Sequence, residues 1–486
     1  MYNSTRDKAC RVSAAHAIVH GLAPDGGLFV PEELPQLSLA QIEALSKTDY
    51  RGRAEEILSL FLDEFDRAEI KRIVSAAYDD NFDDAAVAPL HIIDGKTAVL
   101  ELWHGPTCAF KDMALQILPH LLTASLKKCG EMRKVCILVA TSGDTGKAAL
   151  EGFADVEDTK ILVFYPHNGV SDVQKLQMVT QRGENVSVAA VNGNFDDAQT
   201  GVKNILAACQ GKDLPVALSS ANSINIGRLA PQIMYYFRAY RDLLDAGKIK
   251  LGDEVNFSVP TGNFGDILAG FLAKKLGLPV GKLICASNAN NVLTDFIRTG
   301  TYDRCRPLLK TTSPSMDILV SSNLERLLYL LSGDTALVAD LMKKLNTEGS
   351  YTVPAELLAK IQAEFWAAYC DDARADEIMG RVYRELGYLC DPHTASGWAA
   401  AEDYVNQSGD HCPMVVLSTA SPYKFPVAVL TAIGGDTSGS EFEQMARLSE
   451  LTGVPVPKNL ASLQGKPEKH TGVIDKEKML DYVLSL

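Results

Sequence analysis

The sequence has no cysteine pair in C-x-x-C spacing. The nearest two cysteines, Cys129 and Cys136, stand too far apart for a zinc knuckle or a redox dithiol. Ten cysteines scattered over 486 residues do not make a compact disulfide framework, and they fit a reducing compartment. No run of about 18 apolar residues is present, so no membrane span is expected. Met1 to Lys8 hold no apolar stretch of the secretory kind, and a cytoplasmic location is the expectation. Positive charge is also short: 47 Lys and Arg against 61 Asp and Glu give a formal net charge of −14. That balance argues against nucleic-acid partners but not against a small anionic substrate, because a few local cations outweigh a distant acidic surface. His16 and His20 share a helical spacing but lack the intervening glutamate of a zinc protease, so no metal site is expected. Internal repeats and low-complexity tracts are absent.

What is present is an ordinary globular composition, 47% hydrophobic and 22% charged. The length suggests about three domains of roughly 150 residues. Residues 1–95 read as strand-poor and helix-rich, with a turn-rich loop from Gly21 to Pro31 and a long helical pattern around Ala54 to Leu62. From residue 96 the pattern becomes strand, turn, helix, repeated. Thr97–Leu100, Val135–Ala140, Ile161–Tyr165, Val186–Val191, Val255–Val259 and Pro413–Leu417 read as strands, the last of them closing the series. Continuous apolar strands separated by helices indicate parallel sheets covered on both faces, an α/β fold. Helices dominate between 320 and 385, where Ser322 to Glu325 has capping-box spacing. The expected division is an N-terminal domain 1–95, a large α/β domain 96–130 and 230–435, a small α/β domain 131–229, and a C-terminal tail 436–486 that ends in an amphipathic helix from Lys476.

Loops at the carboxyl ends of parallel strands bind ligands. After Thr97–Leu100 the turn His104–Thr107 leads into a helix read over Phe110–Leu118, with Phe110, Ala114, Ile117 and Leu118 on its buried face. Lys111 stands at the start of that helix, where desolvation and the positive end of the macrodipole both lower a lysine pKa. Such a lysine suits carbonyl chemistry, but taken alone the commoner reading is an amine in water with its stem on apolar neighbours. Thr141 to Lys147 resembles a nucleotide P-loop but has Thr141 where that motif needs glycine and Ala148 where it needs serine or threonine. Its hydroxyls and backbone N–H groups at a helix start suit a carboxylate. Gly262-Asn263-Phe264-Gly265-Asp266 follows a strand and opens a helix, a cup for one phosphate with no nucleotide lysine. Thr419 ends a buried strand with a hydroxyl able to meet a ring nitrogen, and Lys424 lies nearby. An amine for an aldehyde, a cup for a phosphate and a hydroxyl for a pyridine nitrogen are together the requirements of pyridoxal phosphate.

The chain resembles the threonine synthase family in its longer bacterial and fungal branch. The resemblance runs through Ala23–Pro31, His104–Thr107, Ala109–Asp112, Thr141–Gly146, Asn194–Gln199, Asn222–Arg228, Gly262–Asp266, Ser313–Ile318 and Ser322–Arg326. It implies a fold-type II pyridoxal phosphate enzyme, similar to the tryptophan synthase β subunit, with two parallel-sheet α/β domains and a helical N-terminal segment. It implies Lys111 as the Schiff-base lysine and catalytic residue, Gly262, Asn263, Phe264 and Gly265 as the phosphate cup with Asp266 beside it, and Thr419 facing the pyridine nitrogen. Thr141, Ser142, Asp144, Thr145 and Asn225 fall on the substrate side, with Arg228, Lys424 and Lys147 as candidate cations for the substrate phosphate. The implied enzyme is a carbon–oxygen lyase that converts O-phospho-L-homoserine and water to L-threonine and phosphate. The competing outcome is a phospho-lyase that releases 2-oxobutyrate, ammonia and phosphate from O-phosphohomoserine or O-phosphothreonine. The expected partner is the small phosphorylated amino acid, with no nucleic acid and no membrane, in a monomer or homodimer.

Overall fold

The computed structural model describes all residues except Ser142, Gln210, Gly211, Asp213 and Leu486. Two parallel sheets dominate it. The larger runs in the order Phe365–Tyr369, Val280–Ser287, Val255–Pro260, Met414–Ser418, Thr97–Glu101 and Leu90–Ile92. Its neighbours pair in parallel except at the Leu90–Ile92 edge, which is antiparallel. The smaller runs Val473–Asp475, Val186–Asn192, Thr159–Pro166, Lys134–Ala140 and Val216–Ser219, parallel throughout. Val255–Pro260 is buried at every position and Lys134–Ala140 at nearly every one, because helices cover both faces and no polar alternation is needed.

Residues 1–95 carry the expected helices, Leu39–Ser46, Tyr50–Phe61 and Arg67–Ala77. They also hold a small antiparallel sheet of Arg11–Val12, Tyr2–Ser4 and Phe29–Pro31, short strands with no readable alternation. This segment is latched to the larger unit by Glu325, which takes Arg6 through Nε at 2.9 Å and Nη2 at 2.8 Å and the Thr5 hydroxyl at 2.5 Å.

Several expectations need correction. The capping box at Ser322 does not form: Asn323 caps helix Leu324–Ser332 without a side-chain bond, because the Glu325 carboxylate is taken by Arg6 and Thr5. The helix read over Phe110–Leu118 is two helices, Asp112–Leu115 and Leu118–Lys128. Pro119 lacks an N–H and its ring opposes the carbonyl four residues back, so the ladder breaks and restarts. Ala114, Ile117 and Leu118 are nevertheless fully buried, as their spacing predicts. Met414–Ser418 is not the last strand, since Val473–Asp475 joins the edge of the smaller sheet beside Val186–Asn192. Val216–Ser219, Val280–Ser287 and Phe365–Tyr369 are strands beyond those expected, the last of them following helix Ala355–Glu364 without a turn.

Candidate active site

The carboxyl ends of Thr97–Glu101 and Met414–Ser418 meet above the larger sheet. Phe110 N–H donates to the Thr419 carbonyl at 2.8 Å and Leu102 N–H to the Ser418 carbonyl at 2.9 Å, so the Lys111 and Thr419 segments are joined directly. The turn before Lys111 is closed by Asp112, which accepts the Thr107 N–H at 2.8 Å and its hydroxyl at 2.7 Å. Burial pushes the Asp112 carboxyl up to about 7 against those two bonds. Close approach also explains Gly105, since a Cβ there would meet the Asp112 carboxylate at 2.5 Å.

Lys111 stands at the helix start, its side chain 12% exposed. Its Nζ donates to Ser315 Oγ at 3.3 Å, lies 4.0 Å from Asp144 Oδ2 and sits over the Phe110 ring at 4.9 Å. Desolvation lowers its pKa, Asp144 opposes that shift, and Lys424 and Arg228 add to it. Asp144, which opens the helix Asp144–Phe153, reaches across from the smaller sheet. Its Oδ1 accepts Lys424 Nζ at 2.6 Å and Gln174 Nε2 at 3.2 Å. Burial works to raise its pKa, but Lys424 and Lys111 hold it well below the ordinary carboxylate range. Lys424 also donates to the Thr107 carbonyl at 3.1 Å, so its charge is already engaged within the protein. Lys147 turns away to Glu151 at 2.6 Å and to Gln181.

Arg228 is buried and its pKa is lowered to about 10 by desolvation. Its Nη1 donates to the Ala221 carbonyl at 2.9 Å, while its Nε has no hydrogen-bond partner among the described residues. Asn225, by contrast, has both amide groups in use: Oδ1 accepts Gly227 N–H at 2.8 Å as a helix cap, and Nδ2 donates to the Ile18 carbonyl at 2.7 Å. Thr141 is buried and Thr145 half-buried in the same loop. Ser142 lies outside the described residues.

The phosphate cup passes a test of fit. The N–H groups of Gly262, Asn263, Phe264 and Gly265 enter no hydrogen bond among the described residues, and helix Gly265–Lys275 starts there. The carbonyls, in contrast, are pinned: Ser321 Oγ donates to Gly262 O at 2.7 Å, and Asn323 N–H and Nδ2 both donate to Asn263 O at 3.0 Å. Phe264 takes φ 64°, which turns the loop back on itself. A Cβ on Gly262 would meet the Ser315 carbonyl at 2.9 Å, so the cup wall admits only glycine at that point. Unused donors around a helix start are what a phosphate needs. Asp266 is turned away to Thr261 and to the Ile267 N–H at 2.9 Å, and burial pushes it up to about 6. The Thr419 hydroxyl, in a residue 4% exposed, is likewise unused by other described groups. The residues present fit a phosphorylated aldehyde cofactor.

Sequence comparison agrees with this geometry. Residues 98–419 match the family described as pyridoxal-phosphate dependent enzyme. Residues 1–78 match threonine synthase N terminus, and 394–483 match threonine synthase, C-terminal. The threonine synthase of Pseudomonas aeruginosa is 41% identical over 477 residues, 96% of this chain and 98% of that protein.

The chain belongs to the threonine synthase family.

Within that family it is also 41% identical to human threonine synthase-like 1, covering 90% of this chain but 61% of that longer protein. The chain therefore spans about three-fifths of the length of the threonine synthase-like 1 relatives it matches. A solved pyridoxal phosphate-bound threonine synthase from Brucella melitensis superposes with a TM-score of 0.89 at 39% identity, covering 100% of this chain and 98% of that one. The fold-type II α/β architecture implied by the resemblance is thus the one present. Reasoning from sequence missed Ser315, the seam carboxylate role of Asp144, and the buried pair Asp391 and His393. Asp391-Pro392 carries a visible signal, an N-cap followed by a first-turn proline, but nothing in the sequence says where that helix points.

Proposed function

We propose that the chain is a threonine synthase that converts O-phospho-L-homoserine and water to L-threonine and phosphate with pyridoxal phosphate. The observation that carries this reading is the Lys111 amine, lowered in pKa and facing Ser315 and Asp144, beside a cup of unused N–H groups at Gly262–Gly265. When bound, pyridoxal phosphate supplies an aldehyde for amines and a conjugated ring that delocalises negative charge from Cα.

The chain's own residues supply the rest. Lys111 is the covalent anchor and, once free, the base that takes the substrate α-proton and moves protons at Cβ. Asp144 keeps that amine near Ser315 without holding it in a tight ion pair, since the carboxylate is committed to Lys424 at 2.6 Å. Thr419 offers a neutral hydroxyl to the pyridine nitrogen, which leaves the ring less electron-withdrawing and the charge available toward Cβ. The N–H groups at the start of helix Asp144–Phe153, with Ser142 and Thr145, take the substrate carboxylate, while the Thr141 hydroxyl braces that turn and Asn225, its amide already bonded to Ile18 and Gly227, fixes the helix start beside Arg228. Arg228 is the cation for the substrate phosphate, supported by its unpartnered buried Nε. Lys424 serves by holding Asp144.

The same reading divides the chain at 1–95, 96–130 with 230–435, 131–229 and 436–486, the last lending its strand Val473–Asp475 to the smaller sheet, and has it act as a monomer or homodimer on a small phosphorylated amino acid. A reducing cytoplasm is supported by ten cysteines that are all free. No described helix is long and apolar enough to cross a membrane.

Product analysis tests the reaction. Incubation with O-phospho-L-homoserine is expected to give threonine and phosphate in equal amounts. Accumulation of 2-oxobutyrate in place of threonine, from this substrate or from O-phosphothreonine, contradicts the proposal.

A further inference from the structure

A buried line of three residues, Asp391, His393 and Ser315, ends on Lys111, and the reaction as described gives no part to Asp391 or His393. Asp391 caps helix Pro392–Ser408: its Oδ1 accepts the Thr394 N–H at 3.0 Å, and its Oδ2 accepts the His393 N–H at 3.1 Å and the His393 ring Nδ1 at 2.6 Å. The two side chains are 0% and 2% exposed. The far ring nitrogen of His393, Nε2, accepts the backbone N–H of Ser315 at 3.2 Å. A donor at Nδ1 and an acceptor at Nε2 fix the neutral Nδ1–H tautomer.

Serine, histidine and aspartate here have the composition of a nucleophilic triad but not its geometry. The histidine takes the serine amide, so it has no means of withdrawing a proton from Oγ. Ser315 Oγ instead receives Lys111 Nζ at 3.3 Å. The turn Pro314–Met316 that carries Ser315 is tied on both flanks by Asn288, whose Nδ2 donates to Ser313 Oγ at 3.1 Å and Asp317 Oδ1 at 2.8 Å. Among the described residues, the Ser315 N–H is bonded by His393 and its hydroxyl by Lys111 alone.

Resting on the reading of Lys111 as proton carrier, we propose that His393 is a positioning residue: through the Ser315 amide it sets the hydroxyl that docks the free Lys111 amine opposite Asp144. A lysine has a long flexible stem, and proton transfer requires its amine at one place. Among the described residues, His393 makes no hydrogen bond to Lys111 or to Gly262–Gly265. Its effect reaches the chemistry only through where Ser315 sits.

The test compares full-length holoenzyme with His393→Leu, which removes the acceptor, and His393→Gln, whose amide oxygen can stand where Nε2 does. His393→Leu is expected to lower kcat roughly 10- to 100-fold while KM stays within about twofold. The isotope effect on kcat with Cα-deuterated substrate should rise, because proton transfer becomes limiting. His393→Gln should recover most of the lost rate and return the isotope effect toward wild type. Nitrogen-15 spectra of histidine-labelled wild type should show Nδ1 protonated and Nε2 bare at His393. Should His393→Leu fail to fold, Ser315→Ala carries the kinetic arm, with the same fall in kcat and rise in isotope effect expected.

Unchanged kcat and isotope effect, equal damage in the Leu and Gln variants, or a protonated Nε2 would each overturn the proposal. A wild-type enzyme that releases 2-oxobutyrate defeats the proposed reaction but not this inference, since α-proton removal is common to both outcomes. A wrong tautomer defeats the inference and leaves the reaction standing.

Discussion

The strand ends of the larger sheet and those of the smaller sheet carry similar glycine- and hydroxyl-rich turns, yet the two turns use their hydrogen-bonding groups in opposite ways. At Gly262–Gly265 the carbonyls are pinned by Ser321 and Asn323 while the N–H groups stay free. At Thr141–Gly146 the loop closes on itself: Thr141 Oγ1 accepts the N–H groups of Gly143 and Gly146, both at 3.0 Å, and donates to the Gly143 carbonyl at 3.1 Å. The first turn is preorganised for a ligand with several acceptor oxygens. The second is a self-supporting hinge that aims Asp144 across the seam at Lys111 and Lys424. A glycine-rich loop is therefore a ligand site where its donors are left over, not merely where its glycines are.

The comparison is broken most severely at the seam itself. Asp144→Asn leaves two buried lysines without their shared carboxylate, and unfolding free energy should fall by about 3–5 kcal/mol in a denaturant titration. Cofactor-dependent turnover should fall with it. Stability near wild type in this variant would show that Lys424 has another anion and that the seam is not held as described.

The two turns are separated by a paired substitution. Gly262→Ala drives a Cβ against the Ser315 backbone carbonyl, so it should cost about 1–3 kcal/mol of folding stability even without cofactor and weaken cofactor retention as well. Thr141→Val unties the other turn and should cost about 1–2 kcal/mol of folding stability with less effect on the cofactor. Equal effects of the two variants on cofactor retention would erase the distinction.

A third measurement examines the larger-sheet side alone. Burial works to lower the His104 pKa, but its bonds to Asp83 at 2.6 Å and Glu101 at 2.7 Å prevail and raise it to about 9. A histidine raised in the folded state gives stability that is fully present below its unfolded pKa of about 6.5 and is lost as pH rises through about 9. Since Asp83 is 38% exposed, the loss across that window should be only roughly 1 kcal/mol, and His104→Gln should abolish it. A slope that survives in the variant assigns it to another group.

The smallest effect is expected beside the cup. Ser322→Ala should change stability by less than about 0.5 kcal/mol, because the capping box suggested by its spacing is not made. A loss near 1 kcal/mol would mean that its exposed bond to Asn263 Oδ1, at 3.3 Å, holds the cup more firmly than its length suggests.

Much of the fold was legible because burial on both faces writes itself as unbroken apolar runs, as in Val135–Ala140 and Val255–Val259. Two strands leave no signal of their own: Phe365–Tyr369 continues straight out of a helix, and Val473–Asp475 is too short and too exposed to show a pattern. In the site, the lysine, the cup and the strand-end hydroxyl could be proposed from local chemistry. Charge pairing could not. Lys424 reads as a free cation until Asp144, 280 positions away, is seen to hold it. His393 reads as nothing in particular until Ser315, 78 positions away, is seen to donate to it. Local propensity is written within a few residues, whereas which charges meet is decided by how the two sheets are placed.

The central claim is that Lys111 is the amine around which both sheet edges are arranged. It is tested most directly by reducing the holoenzyme with borohydride, digesting it and mapping the pyridoxyl group by mass spectrometry. The account predicts the label on Lys111 alone, and its absence from Lys111→Ala protein that still folds. A label on Lys424, Lys147 or any other lysine in the wild type, or no label at all, would contradict it.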